Sequence, residues 1–229
     1  MTSPSYRYRA LLIANARFPE ADPQELPELH GPPRDVTAVA EVLTDANVGL
    51  FDAADVMRLE DQPHWEINKQ VQRFFSASAP DDVLLMYFSG HGRLDALGKL
   101  YLCTQNTQPD LLWATGIAFD SIDSLITTSP AKRVVIVLDC CHSGTFRGGG
   151  GESMTGRGHY LITSTREVQL AADEDGQGQP SPFTRQFVAA IREPGAPGPL
   201  SVPELYRRIS AGFEQRGGPA PTAPVLRRG

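Results

Sequence analysis

Two apolar runs in this chain end on reactive side chains. "DVLLMYFSGHG" (82–92) runs into His91, and "RVVIVLDCCHSG" (133–144) runs into Cys141. A thiol at its ordinary pKa is mostly protonated near neutrality and needs a base before it attacks well. A histidine within reach can take that proton and later deliver it to a leaving amine. The small neighbours Gly90, Gly92 and Gly144 leave room for a peptide backbone to approach. The backbone N–H groups of Gly92 and Cys141 are candidate donors to the oxyanion of a tetrahedral intermediate. The residue types are those of nucleophilic attack on a carbonyl.

Such chemistry needs the two runs to lie side by side. Each reads as a buried strand, and in an open parallel sheet ligands bind beyond the carboxyl ends of the strands. Side chains two apart on a strand share a side, which places Ser89 with His91 and Asp139 with Cys141. Asp139 would bring a negative charge suited to a cationic substrate group. Capping of the following turn is its bland alternative. Cys140 faces the opposite way and reads as packing, and Cys103 reads as structural within a small hairpin. Cys140, Cys141 and His142 stand in a row, but adjacent strand residues point apart and zinc ligands are usually spaced as C-x₂-C or H-x₃-H, so no metal site is expected. His30, His64 and His159 read as solvent or packing residues. Asp35 lies near a helix start, where the dipole favours any carboxylate. Its helix-start and pocket roles have equal weight on the residues alone.

The elements that would hold these groups alternate along the chain. Strands are expected at 8–16, 55–59, 82–90, 131–140 and 158–165, with part of a hairpin at 98–104. Helices are expected at 32–46, 64–78, 119–129, 182–192 and 201–216, the last with Ser201 as N-cap and Pro203 in its first turn. That alternation predicts an α/β fold with a mainly parallel central sheet and helices on both faces. The glycine-rich segment 146–158 and the polar segment 172–182 read as loops. Residues 1–216 are expected to form the domain, and 217–229 a flexible tail.

The chain has 229 residues, 41% of them hydrophobic, with a formal charge of -6. A core of that size needs no disulfide or metal staple. The basic residues are scattered, which argues against nucleic acid as a partner. Three cysteines, two of them adjacent, do not make a disulfide framework and suit a reducing compartment. The apolar run Ala10–Ala14 is too short for a signal segment, and no stretch is long enough for a membrane helix. The expected location is the cytoplasm.

"YFSGHG" followed by "DCCHSG" resembles the caspase-like peptidases, specifically their metacaspase and bacterial caspase-homologue branch, of the caspase–haemoglobinase fold. Their separation, 141 − 91 = 50 residues, is that of caspases, whose histidine lies about 50 residues upstream. "DCCHSG" is similar to the metacaspase form D-x-C-H-S-G, which implies that Cys141 rather than Cys140 is the nucleophile. "LHGPPRDVTAVAEVL" and "SPFTRQFVAAI" resemble the family's first loop and helix and its late S-x-F-T segment.

The resemblance implies a three-layer sandwich and a cysteine endopeptidase with a Cys141–His91 dyad. It further implies an acidic pocket selecting arginine or lysine at P1, the residue before the scissile bond. Asp35, Ser89 and Asp139 map onto that pocket. The partner implied is a protein substrate; the activating trigger stays open between a partner protein, a ligand, calcium and dimerisation, and composition gives no nucleic-acid or membrane partner. Substrate cleavage in bacterial defence or regulated death follows by association. Pro32 departs from the family, which often has cysteine there. Many metacaspases are activated by calcium through loop aspartates, but after Cys141 no carboxylate appears until Glu152, leaving Asp120 and Asp123 as weak candidates. No cofactor is expected, and calcium activation stays open. Arg147 and Arg157 are candidate self-cleavage sites. The competing readings are a non-catalytic interaction module, which would carry a broken dyad, and a thiol–disulfide enzyme, which would carry C-x-x-C.

Overall fold

A computed structural model describes residues 6–140, 158–164, 178–194 and 199–215. The element order is β1 (Tyr8–Ala14), α1 (Pro32–Leu43), β2 (Val56–Glu60), α2 (His64–Ser76), β3 (Val83–Gly90), β4 (Gly92–Leu94), β5 (Leu100–Leu102), α3 (Leu112–Thr115), β6 (Ile117–Ala118), α4 (Phe119–Thr128), β7 (Arg133–Cys140), β8 (His159–Thr163), α5 (Pro182–Arg192) and α6 (Val202–Glu214). The expected strands and helices are present, most of them shorter than their sequence patterns by one to three residues. The hairpin around 98–104 is one strand of a small antiparallel sheet, β4-β5-β6. Its other strands have two or three residues each, too short for periodicity to register.

The main sheet has the order β2-β1-β3-β7-β8 and is parallel throughout. Alternation along each strand sorts its side chains into two apolar layers. On one face Leu11, Ile13, Met86, Phe88, Ile136 and Leu138 pack with Phe74 and Phe75 of α2 and with Ile122 and Ile126 of α4. On the other, Leu12, Leu85, Tyr87 and Val137 pack with Val36 and Val39 of α1, Phe183 and Phe187 of α5 and Ile209 of α6. The result is a three-layer sandwich of the kind expected. β1 lies between β2 and β3, so the chain reverses direction across the sheet there and opens a crevice at the carboxyl ends of β1 and β3. Cys140 belongs to the α2/α4 layer, and Cys103 packs with Phe18 and Leu26 just past β5. Among the described residues no helix is long and apolar enough to cross a membrane.

Candidate active site

β3 hands its chain from the main sheet to the small one through a single residue, His91. Before it, Gly90 pairs with Cys140 and Ser89 with Asp139 across β3 and β7. A side chain at Gly90 would meet the Asn15 carbonyl at 2.9 Å and the Phe88 ring at 3.1 Å, so the turn out of β3 needs glycine. After it, Gly92 opens β4 opposite Leu102, and the His91 carbonyl accepts from Cys103 N at 2.9 Å. That bond makes Gly92 and Leu102 a non-hydrogen-bonded pair, so the Gly92 N–H faces away from β5.

The His91 ring is oriented by a loop. Its Nε2 lies 2.8 Å from the Pro27 carbonyl oxygen. A carbonyl can only accept, so Nε2 carries the proton and Nδ1 is the basic nitrogen of the neutral ring. The Phe18 ring lies 5.0 Å away at 46°. The loop bearing Pro27 and Phe18 is tied down at its ends. Leu29 N donates to Ala16 O at 2.9 Å, and Asp61 Oδ1 accepts from Ala16 N at 2.7 Å and Arg17 N at 3.0 Å. Asp61 adopts φ +46°, a conformation its short polar side chain tolerates. The Arg93 guanidinium donates to the Glu25 carbonyl in the same loop.

Ser89, Asp139 and Asp35 are brought together on the α1/α5 face of the sheet, and each is buried. Ser89 Oγ donates to Asp35 Oδ2 at 2.7 Å. Ser181, the N-cap of α5, joins the two acids: its amide donates to Asp35 Oδ1 at 2.6 Å and its hydroxyl to Asp139 Oδ2 at 2.5 Å. Burial, and then the neighbouring Asp139 charge, push the Asp35 carboxyl up to about 7, against the pull of Ser89, the Ser181 amide and Thr184. Asp35 therefore does more than sit in a helix's first turn. It is 1% exposed and turned inward toward Asp139, which is equally buried. Buried carboxylates held this close favour a proton or a cation between them.

Cys141 lies outside the described residues, as do His142, Gly144, Arg147, Glu152 and Arg157. Among the described residues no group of three or more His, Cys, Asp or Glu side chains could hold a metal ion. Asp120 is paired with Lys99 Nζ at 2.7 Å. The His64 amide donates to Asn106 Oδ1 at 2.8 Å at the start of α2, His159 is buried within β8 and His30 is exposed. A cavity of about 950 Å³ lies at the amino ends of β3 and β7, lined by residues such as Leu43, Leu85, Val135, Phe187 and Leu205. It is at the opposite end of the sheet from His91 and Asp139 and has no part in this site.

Ser181, Thr184 and Pro27 are site residues without an assignment from the sequence. For Ser181 a local signal existed, since a serine before Pro182 at a helix start is an N-cap pattern. Pro27 acts through its carbonyl, which every residue has, so no residue type could mark it.

A sequence model of the caspase domain family matches residues 7–224. No curated protein matches. Among solved structures, the chain is similar to protein GSU0716 from Geobacter sulfurreducens, at 16% identity and a TM-score of 0.64, covering 96% of this chain and 92% of that one. It is also similar to pro-sf-caspase-1, at 18% identity and a TM-score of 0.62, covering 98% and 92% of the respective chains. Likeness at such identity speaks to the fold alone.

Proposed function

This chain belongs to the caspase domain family, a family of cysteine peptidases, and from that premise we propose that it is an endopeptidase whose dyad is Cys141 and His91. The observation that carries the proposal is the register of β3 and β7. Gly90 pairs with Cys140, and the next residues of these adjacent parallel strands are His91 and Cys141. His91 also has the tautomer that the role requires. With Nε2–H held by Pro27, Nδ1 accepts the Cys141 thiol proton. The thiolate attacks the scissile carbonyl carbon. Its oxygen takes up the negative charge facing the N–H groups of Gly92 and Cys141. The C–N bond breaks as His91 returns the proton to the leaving amine. A thioester remains on Cys141, and water activated by the same histidine hydrolyses it to free acid and thiol. No cofactor enters these steps, and calcium would act on assembly of the site rather than on the chemistry.

P1 is arginine or lysine in this reading. Asp35 and Asp139 supply a buried acidic pair that a cationic side chain satisfies, with Ser89 holding Asp35 in place. The substrate is a partner protein, cut in a cytoplasmic bacterial defence or regulated-death pathway. Fluorogenic peptides varied only at P1 test the proposal, assayed with wild type, Cys141→Ala and His91→Ala, each with and without calcium. Cleavage after arginine or lysine by wild type, and none above background by either variant, is the expected result. Equal cleavage by Cys141→Ala would remove the nucleophile assignment. Preference for an uncharged P1 would leave the dyad and remove the acidic pocket. No cleavage, with Cys141 unreactive toward a thiol-directed probe, would favour an interaction module.

A further inference from the structure

Beneath the acidic pair lies a row of hydroxyls that the proposed reaction does not use. Tyr87 is fully buried on the α1/α5 face of β3, and its hydroxyl lies 2.6 Å from Thr184 Oγ1. Thr184, also fully buried, lies 2.9 Å from Ser181 Oγ, and Ser181 Oγ lies 2.5 Å from Asp139 Oδ2. Each hydroxyl has one proton to give. The Ser181 proton goes to the carboxylate, the shortest of these contacts and a charge-assisted one. The Thr184 and Tyr87 hydroxyls reach the same oxygen, each lying 3.4 Å from Asp139 Oδ2 with the geometry of a donor. Three hydroxyls, of Tyr87, Thr184 and Ser181, thus converge on one carboxylate oxygen and bond one another around it. The Thr184 amide adds a second fixed bond to Ser181 Oγ at 2.9 Å.

We propose that Tyr87 and Thr184 are positioning residues for P1 recognition, completing with Ser181 the set of hydroxyls that fixes Asp139 Oδ2. The proposal rests on the reading that Asp139 and Asp35 receive a cationic P1 side chain. Two facts favour a role beyond packing. Tyr87 is held in its protonated, donating form by burial and by the charges of Asp139 and Asp35, which push its pKa well above the usual range. An apolar pair in place of Tyr87 and Thr184 would fill the same space without directing a proton at Asp139. Among the described residues, the ionisable groups facing the cluster are Asp35 from α1, Asp139 from β7 and Tyr87 from β3. The guanidinium groups on its flanks bond backbone carbonyls instead, Arg34 that of His30 and Arg185 that of Pro180.

Steady-state kinetics on an arginine P1 peptide test this with Thr184→Val, Thr184→Ser and Tyr87→Phe. Thr184→Val is expected to raise KM about tenfold with kcat unchanged, Tyr87→Phe to raise it about threefold, and Thr184→Ser to restore the wild-type value. A lowered melting temperature with unchanged KM in Thr184→Val and Tyr87→Phe would reduce the row to structure and overturn the proposal. Carbon-13 titration of the aspartate carboxyls makes the outcome independent of the specificity reading. If wild type cuts no cationic P1 peptide, that reading fails, and the positioning role is judged by the Asp35 and Asp139 curves. Displaced curves in Tyr87→Phe support that role, and curves matching wild type overturn it. Should Thr184→Val not fold, Tyr87→Phe and Thr184→Ser carry both measurements.

Discussion

β3 and β7 begin and end in opposite environments. At their amino ends Val83, Leu85 and Val135 face an apolar cavity that Phe187 and Leu205 also line. At their carboxyl ends, within the same layer, Ser89 and Asp139 meet Asp35, Ser181 and Thr184, and no apolar side chain separates them. α1 and α5 repeat the contrast. Each begins at the acidic cluster, with Asp35 or Ser181, and ends at the cavity, with Leu43 or Ile191. One end of the layer gains free energy by removing apolar area from water. The other loses it by burying two carboxylates, a cost that hydrogen bonds offset only in part. The packed end holds the polar end closed around its hydrogen bonds.

The comparison breaks most severely at Phe187. Phe187→Ala should destabilise the fold by about 3–5 kcal/mol, read by denaturant unfolding. The KM for arginine P1 peptides should stay near wild type in whatever fraction remains folded. A large KM change at full folding would mean that the two ends are not separable. Asp139→Asn should act the other way, raising KM for cationic P1 peptides on the order of a hundredfold. Its melting temperature should not fall, since it removes a buried charge. Unchanged KM would take Asp139 out of recognition.

The smallest effect sharpens the comparison through pH. Asp35 holds its proton to about 7 because of burial and then the Asp139 charge, while an unfolded chain releases it near the ordinary aspartate value. Between those two values the folded state binds more protons than the unfolded one, so stability falls as pH rises and levels off above about 7. A cationic P1 side chain prefers the ionised acid, so KM should fall as pH rises through the same point. Asp35→Asn should flatten the stability trend across this window. A wild-type stability curve without that slope would show Asp35 already ionised in the vacant site.

Much of this site was legible because strand periodicity is local. The period of two separates Asp139 from Cys140, while the side expected for Cys141 falls outside the described residues. Cys140 packs in the α2/α4 layer, while Asp139 faces α5 across the sheet. Ser89 needed more than periodicity, since its hydroxyl bonds Asp35, 54 residues away. Asp35 was divided between a helix-start and a pocket role because a first-turn carboxylate looks the same in both. Only its burial against Ser181, 146 residues further on, separates them.

What the sequence determined by itself were the strands, the helices, the family and the reactive residue types, since each is written in neighbouring positions or in a contiguous motif. What only the tertiary structure decided were the partners those residues meet. Ser181 lies between two acids because the crossovers and apolar faces of α1 and α5 bring both helix starts to the carboxyl ends of β3 and β7. His91 holds its proton on Nε2 because the loop after β1 is fastened through Asp61 and turns the Pro27 carbonyl toward the ring. A backbone carbonyl has no side-chain signature, and a contact across such a chain separation has no period. Both exist only once the two apolar layers have closed on the sheet.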